Sequence, residues 1–199
     1  MSDALLSDPH LAAEMLVHLG RAARGDGAEA GLTAAQWTAL RFFARANRLS
    51  RTPSAFAAFH ATTRGTASQT VKALVAAGYL ERLRDERDGR AARIEVTAAG
   101  RALLAADPLH VIAAAIGRLP PAQQRALISA LQNVVGETAR LREGPCFGVC
   151  AECRHLAALK AVSAGGYHCE EADIALSAEE LEQLCVAFAP KPPGGGSPA

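Results

Sequence analysis

This 199-residue sequence predicts a mainly α-helical fold with one small β-hairpin. Three observations predict it. Half of the residues are hydrophobic, with Ala and Leu dominant, which suits helices packed round an apolar core. Helix-start signals recur at Asp8-Pro9, Thr33-Ala-Ala-Gln36 and Thr52-Pro53. Two short strand-like runs, 79–84 and 92–97, flank the polar tip Asp85-Glu-Arg-Asp-Gly89-Arg90. The length fits one large domain, or one domain with a small appendage.

The elements follow in order. A first helix over 8–24 is capped by Asp8, has Pro9 in its first turn, and carries the apolar stripe Leu11, Met15, Leu16 and Leu19. Residues 25–31 form a loop. Thr33 and Gln36 have capping-box spacing and open a second helix bearing Trp37, Leu40 and Phe43. Thr52-Pro53 starts a short third helix, and a fourth spans 66–77 and stops at Gly78. After the hairpin, Thr97 begins a long helical stretch to 119, bent at Pro108. Pro120-Pro121 separates it from a final helix reaching 142, which Gly144-Pro145 breaks. The Pro/Gly-rich segment 191–199 reads as a disordered tail. The expected division is a DNA-binding and dimerisation domain over 8–142 (core 32–97), then a cysteine-rich module over 143–190.

Charge is unevenly placed although the net charge is only +1. Between Arg41 and Arg93 eleven Lys/Arg face four acids, while from Glu143 onward three face eight. A local basic zone is the usual footprint of phosphate-backbone contact. The order helix, helix, turn, helix, hairpin is that of a winged helix-turn-helix, whose third helix enters the major groove. On the helix over 66–77, Ala67, Val71, Leu74 and Val75 share one face and should pack inward. Ser68, Gln69 and Lys72 share the other, with Thr66 at its edge and Arg64 just before it. Gln pairs with adenine edges, and Lys and Arg read guanine or hold phosphate. At the hairpin, Arg84, Arg87, Arg90 and Arg93 supply a cationic wing. The apolar faces over 11–19 and 103–141 suit a two-fold dimer, which would set two recognition helices one DNA turn apart.

These residues carry a family resemblance. Leu32-Thr33 with Gln36, the run Val71…Leu74…Gly78-Tyr79-Leu80, Asp88-x-Arg90 in the wing, and Val96-Thr97…Gly100 resemble the MarR family of bacterial winged-helix regulators over about residues 8 to 142. The resemblance implies a homodimer with interlocked first and last helices. It also implies a pseudo-palindromic double-stranded DNA operator and, usually, repression. Arg90 matches the family's wing arginine. Residues 56–63 (FAAFHATT) match less closely, which leaves the register of that helix open.

All five cysteines, Cys146, Cys150, Cys153, Cys169 and Cys185, lie in the last 54 residues. Cys150 and Cys153, two residues apart, form a chelate knuckle, and Cys169 and Cys185 are spaced as single distant ligands. The start of the chain lacks the pattern of a secretory signal, and no stretch is apolar enough to span a membrane. A cytoplasmic location is expected, where clustered thiols bind metal more often than they form structural disulfides. Ser177-Ala-Glu-Glu180 is a second capping box, expected to put Cys185 on a short helix with Leu181, Leu184 and Phe188. Four thiolates hold either zinc or an iron–sulfur cluster. Zinc sites usually use two paired knuckles, so one pair plus lone cysteines, with Phe147, Leu156 and Phe188 as an apolar shell, favours iron–sulfur. The chain also resembles a MarR subgroup with an FGVCxxCRH tail followed by two lone cysteines. That resemblance selects Cys150, Cys153, Cys169 and Cys185 and leaves Cys146 as a spare. A metal-free thiol switch, with Cys146 and Cys150 paired, is the alternative. His155 and His168 adjoin cysteines as outer-sphere or replacement ligands.

No Ser/His/Asp set, paired carboxylates or phosphate loop points to an enzyme. The expectation is a DNA-binding regulator whose tail site senses redox state, oxygen or iron by shifting against the final helix. Two other classes fit the same sequence. One is a ligand-responsive regulator with a structural zinc tail, and the other is a protein-interaction module.

Overall fold

The computed structural model describes residues 8–23, 31–84, 92–158 and 166–191. The loop expected at 25–31 therefore falls almost wholly outside the described residues, as do the hairpin tip and the tail expected over 191–199 beyond Lys191.

Helix α1 (Pro9–Ala22) starts as expected, with Asp8 accepting the His10 N–H at 2.8 Å. Helix α2 (Ala34–Arg45) opens on a complete capping box. Gln36 N–H donates to Thr33 Oγ1 at 3.3 Å, and Thr33 N–H donates to Gln36 Oε1 at 2.8 Å. Helix α3 (Pro53–Phe59) is capped by Thr52, whose Oγ1 accepts the Ala55 N–H at 3.1 Å. The chain leaves α3 through Ala61, which is left-handed at φ 49°. Helix α4 (Arg64–Ala76) begins two residues earlier than expected. Thr63 is its cap and accepts the Thr66 N–H at 3.1 Å, so Arg64 is the first helical residue rather than a flanking one. Gly78 ends it at φ 76°, where a side chain costs roughly 1–2 kcal/mol.

Strands β1 (Leu80–Arg84) and β2 (Ala92–Val96) pair antiparallel, with Leu80 opposite Val96. One continuous core joins them to the helices through Trp37, Leu40, Phe42, Phe43, Phe56, Val71, Leu74, Leu80 and Ile94. The rings of Phe42, Phe43 and Phe56 lie 5.1–5.9 Å apart. Each such side chain contributes ~1.5–3 kcal/mol of burial.

Helices α5 (Ala98–Leu104) and α6 (Leu109–Gly117) meet at a 56° bend beside Pro108. Asp107 fixes it: Oδ1 accepts the Leu109 N–H at 2.8 Å, and Oδ2 accepts from Arg41 Nε at 2.6 Å. Arg41 Nη2 also donates to the Ala23 carbonyl at 3.0 Å, which ties the end of α1 to the same corner. Helix α7 (Pro121–Leu141) follows. Within one chain α1, α6 and α7 have no buried residue. No single described helix is long and apolar enough to cross a membrane.

The tail is built from β-structure. Strand β3 (Gly148–Val149) pairs antiparallel with β7 (Leu184–Cys185), and β4 (Leu156–Ala158), β5 (Tyr167–Cys169) and β6 (Ile174–Leu176) form a second sheet. This corrects the expected helix at Cys185. The second capping box does form, with Ser177 N–H to Glu180 Oε2 at 2.9 Å and Glu180 N–H to Ser177 Oγ at 3.3 Å. It starts only a 3-10 turn, Glu179–Glu182, because Gln183 turns extended and its neighbours pair with β3. A Cβ at Gly148 would fall within 2.7 Å of the Phe188 ring, which would have to swing away to admit one.

Candidate nucleic-acid interface and thiol site

Helix α4 divides into faces as its sequence predicts. Ala67, Val71 and Leu74 are buried, Val75 is half-buried, and Arg64, Thr66, Gln69 and Lys72 are exposed. Ser68 is half-buried. The Thr66 hydroxyl is 2.9 Å from the Thr63 hydroxyl, so part of its bonding capacity is spent on the helix start. The side chain of Arg84, and all of Arg87 and Arg90, lie outside the described residues. Arg93 departs from the expected free wing cation. Its Nε is 2.8 Å from Glu95, a carboxylate shared with Arg51.

The tail brings four cysteines together. The knuckle is a 3-10 turn, Cys150–Glu152, in which Cys153 N–H donates to the Cys150 carbonyl at 3.1 Å. Cys169 ends β5 and Cys185 ends β7. Cys150, Cys153, Cys169 and Cys185 line one cavity of about 10 Å3 with His155, Leu156, Leu176 and Ala187. Cys150, Cys153 and Cys185 are buried, Cys169 is half-buried, and all five cysteines are free thiols. Among the described residues, no group of three or more His, Cys, Asp or Glu side chains is placed to hold a metal ion. Of the four, Cys150 and Cys185 act as a hydrogen-bonded pair. The bond from Cys150 holds the Cys185 thiol down near about 6 against its burial, with help from Asn47, the Ala187 N–H and Ser50. Bonding to Cys185, followed by burial, pushes Cys150 up. The pair thus gives up a first proton easily and a second with difficulty.

Cys146 stands apart, in an open groove of about 610 Å3 between α7 and the tail. Phe147 and Phe188 line that groove too, and Phe147 packs edge-on against Phe59 at 4.9 Å. Of the expected apolar shell, only Leu156 lines the cysteine cavity. His155 lines it too, whereas His168 lies 3.1 Å from Asp173.

Sequence reasoning missed how the tail is seated. It docks on the turn between α2 and α3. Asn47 N–H donates to the Leu184 carbonyl at 2.9 Å, Asn47 Nδ2 reaches Cys150 Sγ at 3.6 Å, and Ser50 Oγ accepts the Val186 N–H at 2.9 Å. Arg48 pairs with Glu180 at 3.0 Å and donates to the Ala175 carbonyl. With α7 the described hydrogen bond is a surface one, Gln132 to Glu152 at 2.5 Å. A further cavity of about 490 Å3 lies between α2 and α6, lined by Arg41, Phe42, Arg45, Phe59, Asp107 and His110 among others.

Residues 30–91 match the family model described as "MarR family". Members of that family are DNA-binding transcription regulators, not enzymes. No curated protein matches the chain. Three solved structures share its fold. CouR from Rhodococcus jostii RHA1 bound to p-coumaroyl-CoA is 22% identical, covers 67% of this chain and 95% of that chain, and has a TM-score of 0.53. A MarR transcriptional regulator from Methanosarcina mazei Go1 is 18% identical, covers 66% and 99%, and has a TM-score of 0.52. The S. aureus MepR–DNA complex is 16% identical, covers 65% and 98%, and has a TM-score of 0.50.

Proposed function

We propose that this chain, a MarR-type winged-helix transcriptional regulator, acts as a homodimeric repressor whose operator binding is governed by the thiol site of its tail. The observation that carries the reading is the convergence of Cys150, Cys153, Cys169 and Cys185 on one small cavity next to the DNA-binding fold. On the DNA side, the exposed row Arg64, Thr66, Gln69 and Lys72, with Ser68 beside it, supports groove reading by α4. Arg84, Arg87 and Arg90 would hold phosphate from the wing. A dimer is supported by the bare helices α1, α6 and α7. They leave Leu11, Met15, Val17, Val111, Ile128 and Val134 exposed, more apolar surface than a lone chain keeps in water.

Four soft sulfur donors suit zinc or an iron–sulfur cluster. The space between the cysteines is small, about 10 Å3. A single ion therefore enters with less displacement than a cluster, and zinc is the better fit. A zinc site closed by four thiolates supplies folding energy to a small module, and oxidation of its sulfurs releases the ion. Cys146, outside the cavity, is left for thiol chemistry of its own.

The test is an anaerobic absorption spectrum of the full-length chain, with iron, sulfide and zinc assayed on the same sample. One zinc per chain and no colour is the expected result. A brown protein with iron matched by sulfide would replace zinc with a cluster, and neither metal would leave a bare thiol switch. A second reading is favoured by the cavity of about 490 Å3, where Arg45 and His110 among apolar walls suit a small anionic ligand. In that reading the tail metal is a staple, and operator release follows ligand rather than oxidant.

A further inference from the structure

We propose that Asn47 and Ser50, residues of the winged helix, are positioning groups of the thiol site and that, through Arg51, they carry the state of its sulfurs into wing strand β2. The inference rests on reading the tail thiols as the regulatory site, and it names the path that regulation takes.

Asn47 and Ser50 are 1% and 0% exposed. Burying an amide and a hydroxyl is costly unless every polar atom finds a partner. Here the partners reach across to the tail. Asn47 Nδ2 donates to Cys150 Sγ at 3.6 Å, its Oδ1 accepts the Ser50 N–H at 3.0 Å, and its own N–H goes to Leu184. Ser50 Oγ accepts the N–H of Val186, the residue after Cys185, at 2.9 Å. Ala46 forms a parallel bridge with Leu184, the neighbour of Cys185. The walls behind two of the four sulfurs therefore belong to the segment 46–50, not to the tail.

The next residue continues the path. Arg51 Nε donates to the Ala46 carbonyl at 2.8 Å, and its Nη1 reaches both oxygens of Glu95 at 2.6 Å. Its carbonyl accepts the Ile94 N–H at 2.8 Å. From Cys150 and Cys185 to β2 every step is a hydrogen bond or one peptide unit. Towards α7 the described hydrogen bond is the exposed Gln132–Glu152 one, beside an open groove. A change at the sulfurs is thus delivered to the wing rather than to the dimer helix.

Amide hydrogen exchange on the full-length reduced chain tests this. Cys150→Ser removes the sulfur, and Asn47→Asp keeps the acceptor for Ser50 while losing the donor to Cys150. Each is expected to speed exchange at Val186 and Ile94 by about tenfold or more, with Leu74 unchanged. The double variant should be no faster at Ile94 than Asn47→Asp alone, because both substitutions break one path. Should Asn47→Asp loosen the core, Leu74 will report it, and Cys150→Ser still reads the path with the winged-helix side chains intact. Faster exchange at Cys153 and Arg154 with a wild-type rate at Ile94 would overturn the proposal.

Cobalt(II), added alone, separates this inference from the metal reading. Its thiolate charge-transfer band is expected to shift in Asn47→Leu, which keeps the volume and adds no charge but loses the donor, a change that a merely space-filling residue would not report. Cobalt uptake with no response at Ile94 sinks the path and leaves the metal site. An Ile94 response to Cys150→Ser without cobalt uptake does the reverse.

Discussion

From Leu32 to Val96 the chain buries Trp37, Phe42, Phe43 and Phe56 in one cluster with the aliphatic side chains of α4, β1 and β2. From Gly148 to Cys185 it buries Ile174, Leu176 and three cysteines, with half-buried neighbours such as Leu156 and Phe188 around them. The first region has enough apolar area to order itself. The second uses strands of two or three residues, an imported wall at Asn47 and Ser50, and sulfur. Small modules of this kind need a staple, so the contents of the thiol cavity should matter for the tail and little for the winged helix.

The sharpest way to break that contrast is to damage each region in turn. Phe42→Ala should cost about 3–5 kcal/mol, read as a lower urea midpoint of Trp37 fluorescence. Ile174→Ala should leave that midpoint in place while deprotecting the amides of β5 and β6. Next in size is the effect of zinc at the proposed thiol site. At a hundredfold excess over its dissociation constant it should add about 2.7 kcal/mol to the tail's opening free energy, and a chelator should abolish that gain. If the chelator shifts the Trp37 transition as far as the tail, the two regions are one cooperative unit and the contrast fails.

The DNA face gives smaller, sequence-dependent effects. Gln69→Ala should lose about 1–3 kcal/mol at a cognate operator and relax base preference there. Lys72→Ala and Arg90→Ala should weaken binding to all sequences alike, each lowering the salt slope by about 1. An unchanged slope for Arg90→Ala would remove the wing from the interface.

The smallest effect lies at the α5–α6 corner. Burial alone would raise the Asp107 carboxyl, but the Arg41 hydrogen bond, the Leu109 N–H and nearby positive charge outweigh it and hold it below its usual range. Its stabilisation is therefore present above the ordinary value of ~3.9 and is lost as pH falls through the lower folded value. Acid titration of stability should lose that component in Asp107→Asn.

The contrast also explains what could be read from the chain. Thr33-x-x-Gln36, Thr52-Pro53 and Gly78 set helix ends by local chemistry, so α2, α3 and the end of α4 were visible in the sequence. The start of α4 was misplaced because Thr63 and Thr66 both suit a cap, and only the fold decides which one accepts. In the tail, strands this short show no period-2 pattern, and a capping box at Ser177 looks the same before an α-helix and before a 3-10 turn. Asn47 and Ser50 lie in Ala46-Asn-Arg-Leu-Ser50, which reads as a polar connection. Their role depends on a partner 103 residues away for Asn47 and 136 for Ser50.

Those separations also order events at the ribosome. The helices and hairpin of the winged helix close over short stretches of chain, and such contacts form early. The seat at Asn47 and Ser50 stays empty until Val186 has been made, long after the β1–β2 hairpin has closed. The nascent protein can thus carry a finished winged helix while its cysteines are still open to solvent, and the thiol cavity becomes enclosed only when β7 arrives.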